Sequence, residues 1–122
     1  MSTRRSITML AASAALLVGG TVAALAHAHL VRATPAAGGT VQAAPTEVML
    51  RFSEKLEPKF SSVIVRDSEG KQVSKGDAIV DKSDRMIMVL PPLEPGVYKV
   101  EWRVMSADTH KVDGDFTFTV GE

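Results

Sequence analysis

Hydrophobic and polar side chains alternate along most of the chain beyond its first 35 residues. In residues 98–104, every second side chain is apolar and those between them are charged. A period of two sends alternate side chains to opposite faces of a sheet, so this segment predicts a half-buried strand. Residues 48–52 and 116–120 repeat the alternation, and the apolar runs 62–65 and 86–90 have the length of strands.

Turn-forming residues separate these strands. Clusters of Gly, Pro, Asp and Ser occur at 67–70, 75–77, 81–84, 91–92, 95–96 and 113–114. Such residues favour turns, and their spacing leaves room only for short strands. No stretch after residue 30 keeps a helical apolar stripe for three turns. The pattern therefore predicts an all-β fold, an antiparallel β-sandwich of about seven strands.

The first 26 residues differ in composition from the rest. Arginines at positions 4 and 5 precede an uncharged segment, residues 7–26, which ends in the small-x-small triplet 24–26. These features are the three parts of a signal peptide in their usual order. We therefore expect a signal peptide over residues 1–26, cleavage before His27, and a periplasmic domain of residues 27–122.

Two other outcomes stay open for this segment. A second triplet, residues 26–28, would release His29 as the first residue instead. An uncleaved segment of about 20 apolar residues could also anchor the protein, since that length spans a bilayer. The pattern does not decide between the Sec and Tat export routes.

The composition of the chain excludes several kinds of site and partner. The chain has no cysteine, which excludes disulfides, thiolate zinc sites and iron–sulfur clusters. Without the two signal-peptide arginines, 12 basic side chains face 14 acidic ones, so the basic excess needed to bind nucleic acid is missing. The expected 96-residue mature chain is long enough for one core and too short for a multidomain enzyme.

The side chains that could bind a metal ion lie at two places in the chain. The three histidines are His27 and His29, at the expected mature N-terminus, and His110, which follows Asp108 by two residues. In extended backbone, Asp108 and His110 would project to one side, roughly 6–7 Å apart, and could chelate one ion. The freed amine and imidazole of His27 would form a second chelating pair. Such a tetragonal set of nitrogen and oxygen ligands favours Cu(II).

Two alternatives to this folded site stand beside it. The histidines could be ordinary surface residues, since an Asp-x-His triplet alone is weak evidence for a metal. Alternatively, a chain beginning His27-Ala28-His29 could wrap Cu(II) in a plane, using the amine, two backbone amides and the His29 imidazole. That tripeptide site would need neither Asp108 nor His110, and it would form on an unfolded peptide.

The chain resembles the CopC (CopC/YobA-type) family of periplasmic copper-resistance proteins over nearly all of residues 27–122. The strongest match is residues 96–114, which fit the family pattern G-x-Y-x-V-x-W-x-x-x-S-x-D-x-H-x-x-x-G. Residues 27–31 also look like that family's mature start, and residues 50–54 look like its first long strand. The resemblance implies an Ig-like or cupredoxin-like Greek-key sandwich or barrel. It also implies a Cu(II) site held by His27, Asp108 and His110. We expect one Cu(II) per chain, and the tripeptide geometry keeps His29 as a further candidate ligand.

The chain differs from some members of this family in one feature. Some family members hold Cu(I) in a methionine-rich loop, but residues 71–85 contain no methionine. Met86 and Met88 lie in an apolar run and are expected to pack in the core, since methionine is a common core filler. We therefore expect a Cu(II) site and no Cu(I) site.

The function implied by the resemblance is that of a non-catalytic copper carrier. Such a protein would buffer or carry Cu(II) for copper resistance or homeostasis, as a monomer, and deliver it to a membrane transporter or efflux system. A CopD-like inner-membrane transporter, as a separate chain, would be the partner, with no role for nucleic acid. The alternatives are a copper monooxygenase with a histidine brace and an Ig-like interaction module without metal.

Overall fold

The protein is described here as a computed structural model that covers residues 28–122; the expected signal peptide and His27 lie outside the described residues. Eight strands and one 3-10 turn (Pro58–Phe60) form in this part of the chain. The strands are β1 (Leu30–Thr34), β2 (Thr40–Val41), β3 (Glu47–Phe52), β4 (Ser62–Arg66), β5 (Ile79–Val80), β6 (Arg85–Val89), β7 (Gly96–Met105) and β8 (Lys111–Val120).

The strands build two four-stranded sheets, which confirms the predicted all-β sandwich. One sheet has the order β1-β3-β6-β5 and the other the order β2-β8-β7-β4. No helix among residues 28–122 is long and apolar enough to cross a membrane.

The strand count and one pairing differ from the prediction. All five predicted strands form, but β1, β2 and β5 add to them, and β2 runs parallel to β8 whereas an antiparallel sandwich was expected. Strands β2 and β5 have only two residues each, too few to show a period of two. These short edge strands are held by the neighbours they pair with, which the sequence pattern does not show.

The core lies between the sheets and is filled by the alternating apolar positions. Trp102, predicted to be buried, meets the Phe52 ring edge-on with ring centroids 5.2 Å apart. Tyr98, on the same face of β7, stacks on Phe118. Met86 and Met88 are 0% and 1% exposed, so both thioethers are packed in the core as predicted.

The longest regular element is the hairpin of β7 and β8. Ten residue pairs run without a break from Gly96–Val120 to Met105–Lys111. Residues 106–110 connect the two strands at the end of this ladder. The tip of this continuous hairpin carries two of the predicted metal ligands.

Candidate metal centre

The connection between β7 and β8 closes on itself through backbone hydrogen bonds. The Ser106 N–H donates to the His110 carbonyl at 2.9 Å, and the Thr109 N–H donates to the Ser106 carbonyl at 2.8 Å. Thr109 adopts a left-handed conformation, with φ of 71°. This conformation is uncommon for a threonine and reverses the chain sharply between Asp108 and His110.

Asp108 and His110 meet at the tip of this turn. His110 Nδ1 lies 3.2 Å from Asp108 Oδ2, and each side chain is 48% exposed. The two side chains lie on one side of the chain, as the sequence predicts, but the extended backbone assumed between them is wrong. The chain turns between the two residues, and the turn brings their side chains together.

Ser106 supports this pair from inside the protein. Its side chain is fully buried, and its hydroxyl donates to Asp108 Oδ1 and lies 3.3 Å from the His110 carbonyl. The Ser106 hydroxyl and then the nearby His110 hold the pKa of Asp108 below its ordinary value of 3.8, because both stabilise the carboxylate. Sequence reasoning gave Ser106 no role, although it stands in the family pattern.

The N-terminal strand is fixed beside the end of β3. The His29 N–H donates to the Ser53 hydroxyl at 2.9 Å, and the Ser53 N–H donates to the His29 carbonyl at 2.8 Å. Ala28 is 1% exposed and belongs to the core. The described chain therefore starts anchored on the sandwich, with the His29 backbone held at both of its polar groups.

The segment 53–57 joins this N-terminal anchor to the turn. The Ala107 N–H donates to the Lys55 carbonyl and the Glu57 N–H to the Met105 carbonyl, both at 2.8 Å. Two residues of chain span at most about 7 Å. His29 and the Asp108–His110 turn therefore dock on one short segment, at the same end of the sandwich.

The structure unites only part of the predicted ligand set. Asp108 and His110 form a pair, but no three His, Asp or Glu side chains in residues 28–122 gather closely enough to hold a metal ion. His29 is exposed and does not complete such a group. His27 lies outside the described residues. Each side chain of the pair is 48% exposed, and an imidazole nitrogen and a carboxylate oxygen are ligand types that suit two positions of a tetragonal Cu(II) site.

Comparison with known proteins identifies the family of the chain. Residues 30–121 match the family model described as the CopC domain. The chain belongs to the CopC family. Relatives in this family include copper resistance protein C from Escherichia coli, 38% identical over 120 residues, which cover 87% of this chain and 94% of that protein. Protein YobA from Escherichia coli K12 is 38% identical over 98 residues, covering 78% of this chain and 79% of YobA.

Solved structures of CopC proteins share the fold. CopC from Methylosinus trichosporium OB3b superposes with a TM-score of 0.70 at 42% identity, covering 78% of this chain and 94% of that chain. PcoC, described as a methionine-rich copper resistance protein from Escherichia coli, gives a TM-score of 0.71 at 35% identity, covering 77% and 98%. The resemblance inferred from residues 96–114 is thus confirmed by both comparisons.

Proposed function

We propose that this protein is an exported, non-catalytic Cu(II) carrier or buffer that serves copper resistance or homeostasis. It binds one Cu(II) through the amine and imidazole of His27, the carboxylate of Asp108 and the imidazole of His110. The observation that carries the proposal is the solvent-facing Asp108–His110 pair on the same end of the sandwich as the anchored N-terminus.

The comparisons support this proposal at the level of the metal. Several relatives are named copper resistance protein C, and a Bacillus subtilis relative is named copper transport protein CutJ. The match with CutJ covers only 18% of that protein. A shared domain in proteins of resistance and transport fits a binding role better than an enzymatic one.

The accessibility of the pair fits a carrier. Both side chains are about half exposed at the tip of a hairpin, so a partner protein can approach the metal from solvent. We further propose that a membrane transporter or efflux system, as a separate chain, accepts the copper there. Because four strong donors fill the tetragonal positions, little room remains for a substrate, which separates the proposal from a monooxygenase.

The test is a Cu(II) titration against a competing chelator, with protein purified from the periplasm and its N-terminus confirmed by intact mass. His110→Ala should weaken binding by more than the 10–100-fold typical for loss of an outer-shell partner, because it removes a ligand itself. Asp115→Asn, which alters an exposed carboxylate on β8 away from the turn, is the matched control and should bind like the unchanged protein.

Three results would speak against the proposal. Equal binding by the unchanged protein and His110→Ala would mean that the N-terminal tripeptide alone holds the metal. Equal losses in His110→Ala and Asp115→Asn would point to a general charge or folding effect. No binding by the unchanged protein would favour an interaction module without metal.

A further inference from the structure

The N-terminal anchor bears on the tripeptide site that competes with the folded one. In the tripeptide site, the metal bonds to the amide nitrogens of Ala28 and His29 after displacing their hydrogens. In the structure, the His29 N–H points at the Ser53 hydroxyl, with 2.9 Å between the His29 nitrogen and Ser53 Oγ. The donor that the tripeptide site needs is therefore already engaged.

The two arrangements exclude each other by space alone. A metal bound to an amide nitrogen takes the place of its hydrogen, at a bond length of about 2.0 Å as for other first-row metal–nitrogen bonds. Ser53 Oγ lies along the same N–H direction at 2.9 Å, so the metal and the oxygen would be far closer than their contact distance. Copper can enter at the His29 amide only if the Ser53 hydroxyl leaves.

Two further contacts hold the strand in this position. The His29 carbonyl accepts the Ser53 N–H at 2.8 Å, and Ala28 is 1% exposed in the core. Ser53 itself is exposed, so its hydroxyl has no packing role to explain its place. Its hydrogen bond to His29 is the side-chain contact that separates the two copper geometries.

We propose that Ser53 determines how this protein holds copper: its hydroxyl blocks the planar tripeptide site at the His29 amide and reserves the N-terminus for the folded site. The inference rests on the proposed function, because it concerns the same Cu(II) site. It assigns His29 the role of a backbone anchor, with its imidazole outside the ligand set of the folded site.

The test measures Cu(II) affinity and the visible absorption spectrum of the full processed chain, in a His110→Ala background that cripples the folded site. A synthetic peptide of residues 27–32 supplies the reference spectrum of the tripeptide site. Ser53→Ala in this background should bind Cu(II) roughly two- to tenfold more tightly, since one opposing hydrogen bond is gone. Its spectrum should move to that of the peptide.

Two control variants isolate the effect of the hydroxyl at this position. Ser53→Thr keeps a hydroxyl and should behave like the His110→Ala background alone. Ser74→Ala removes another hydroxyl that accepts a backbone N–H, from Val65 at 2.9 Å, but in the core. It should lower stability without changing the copper spectrum, which circular dichroism melting of each variant would verify.

The outcomes separate the inference from the proposed function. If His110→Ala weakens binding but Ser53→Ala then neither tightens it nor shifts the spectrum, the role of Ser53 is refuted and the folded site stands. If the unchanged protein already shows the peptide spectrum, or if its mass shows that it starts at His29, the inference fails. If Ser53→Ala alone gains the peptide spectrum while His110→Ala changes nothing in the unchanged chain, Ser53 blocks the tripeptide site but the folded site is refuted, and with it the claim that Ser53 reserves the N-terminus for that site.

Discussion

Gly114→Ala is the substitution for which the structure gives the clearest expected loss of stability. Gly114 in β8 faces Trp102 in β7 across the hairpin. A Cβ built on Gly114 would lie 2.5 Å from Trp102 Cζ2 and 3.0 Å from both Cε2 and Cη2. Carbon atoms do not approach to 2.5 Å without bonding, so either the indole or the strand must move.

The size of the effect follows from how firmly the indole is held. Trp102 is 8% exposed and packs edge-on against Phe52, so most of its ring is enclosed by the core. Overpacking a core typically costs 1–3 kcal/mol, and the approach of 2.5 Å to a largely buried ring places this case at about 2–3 kcal/mol. For a domain of 60–100 residues, that loss lowers the melting temperature by roughly 8–24 °C.

Urea denaturation followed by far-ultraviolet circular dichroism would measure this loss of stability. Gly121→Ala is the matched control, because the three atoms nearest its new Cβ, from 3.1 Å, all belong to the flexible Gln42 side chain, and it should change stability by less than about 0.5 kcal/mol. Trp102→Phe removes the clashing part of the ring, so the double variant should lose less than the sum of the single losses. If Gly114→Ala were as stable as Gly121→Ala, the argument from close packing would be refuted.

Two further predictions concern the site turn and the outer face of the sheet. Ser106→Ala should weaken Cu(II) binding by about 10–100-fold without removing a ligand, because the hydroxyl orients Asp108; chelator competition measures this, and an unchanged affinity would contradict it. Hydrogen bonding and charge from Arg66, and the nearby Lys99, hold the pKa of Glu101 below its ordinary value of 4.5. Glu101 therefore stabilises the fold above that pH and loses this contribution as the pH falls through its lowered pKa. Glu101→Gln should lower stability at pH 7 by less than about 1 kcal/mol and flatten its decline below pH 5, as denaturation at several pH values would show.

The sequence predicts the parts of this fold that repeat locally. The alternation in residues 98–104 predicts β7 because each side chain's neighbours within the strand decide its face. Strand β2 has no such signal, since its two residues are ordered by pairing with β8 at the far end of the chain. The parallel pairing of β2 is likewise a property of tertiary structure and leaves no local pattern.

At the candidate site, too, the sequence identifies the residues by their type but does not predict the geometry that brings them together. The scarcity of histidine and the absence of cysteine identified Asp108 and His110, which the structure joins at 3.2 Å. The left-handed turn at Thr109 that creates this contact was not predicted, because threonine rarely adopts that conformation. Ser53 was also missed, since its contact with His29 spans 24 residues and carries no sequence motif.

The proposed site differs from the tripeptide site in its dependence on folding. His29 and His110 stand at opposite ends of the described chain, and only the sandwich brings their segments to one end through residues 53–57. An unfolded chain has the N-terminal tripeptide but lacks this arrangement. Copper at the proposed folded site would therefore stabilise the native state by mass action, whereas copper at the tripeptide, which the unfolded chain offers and Ser53 obstructs in the folded chain, would not.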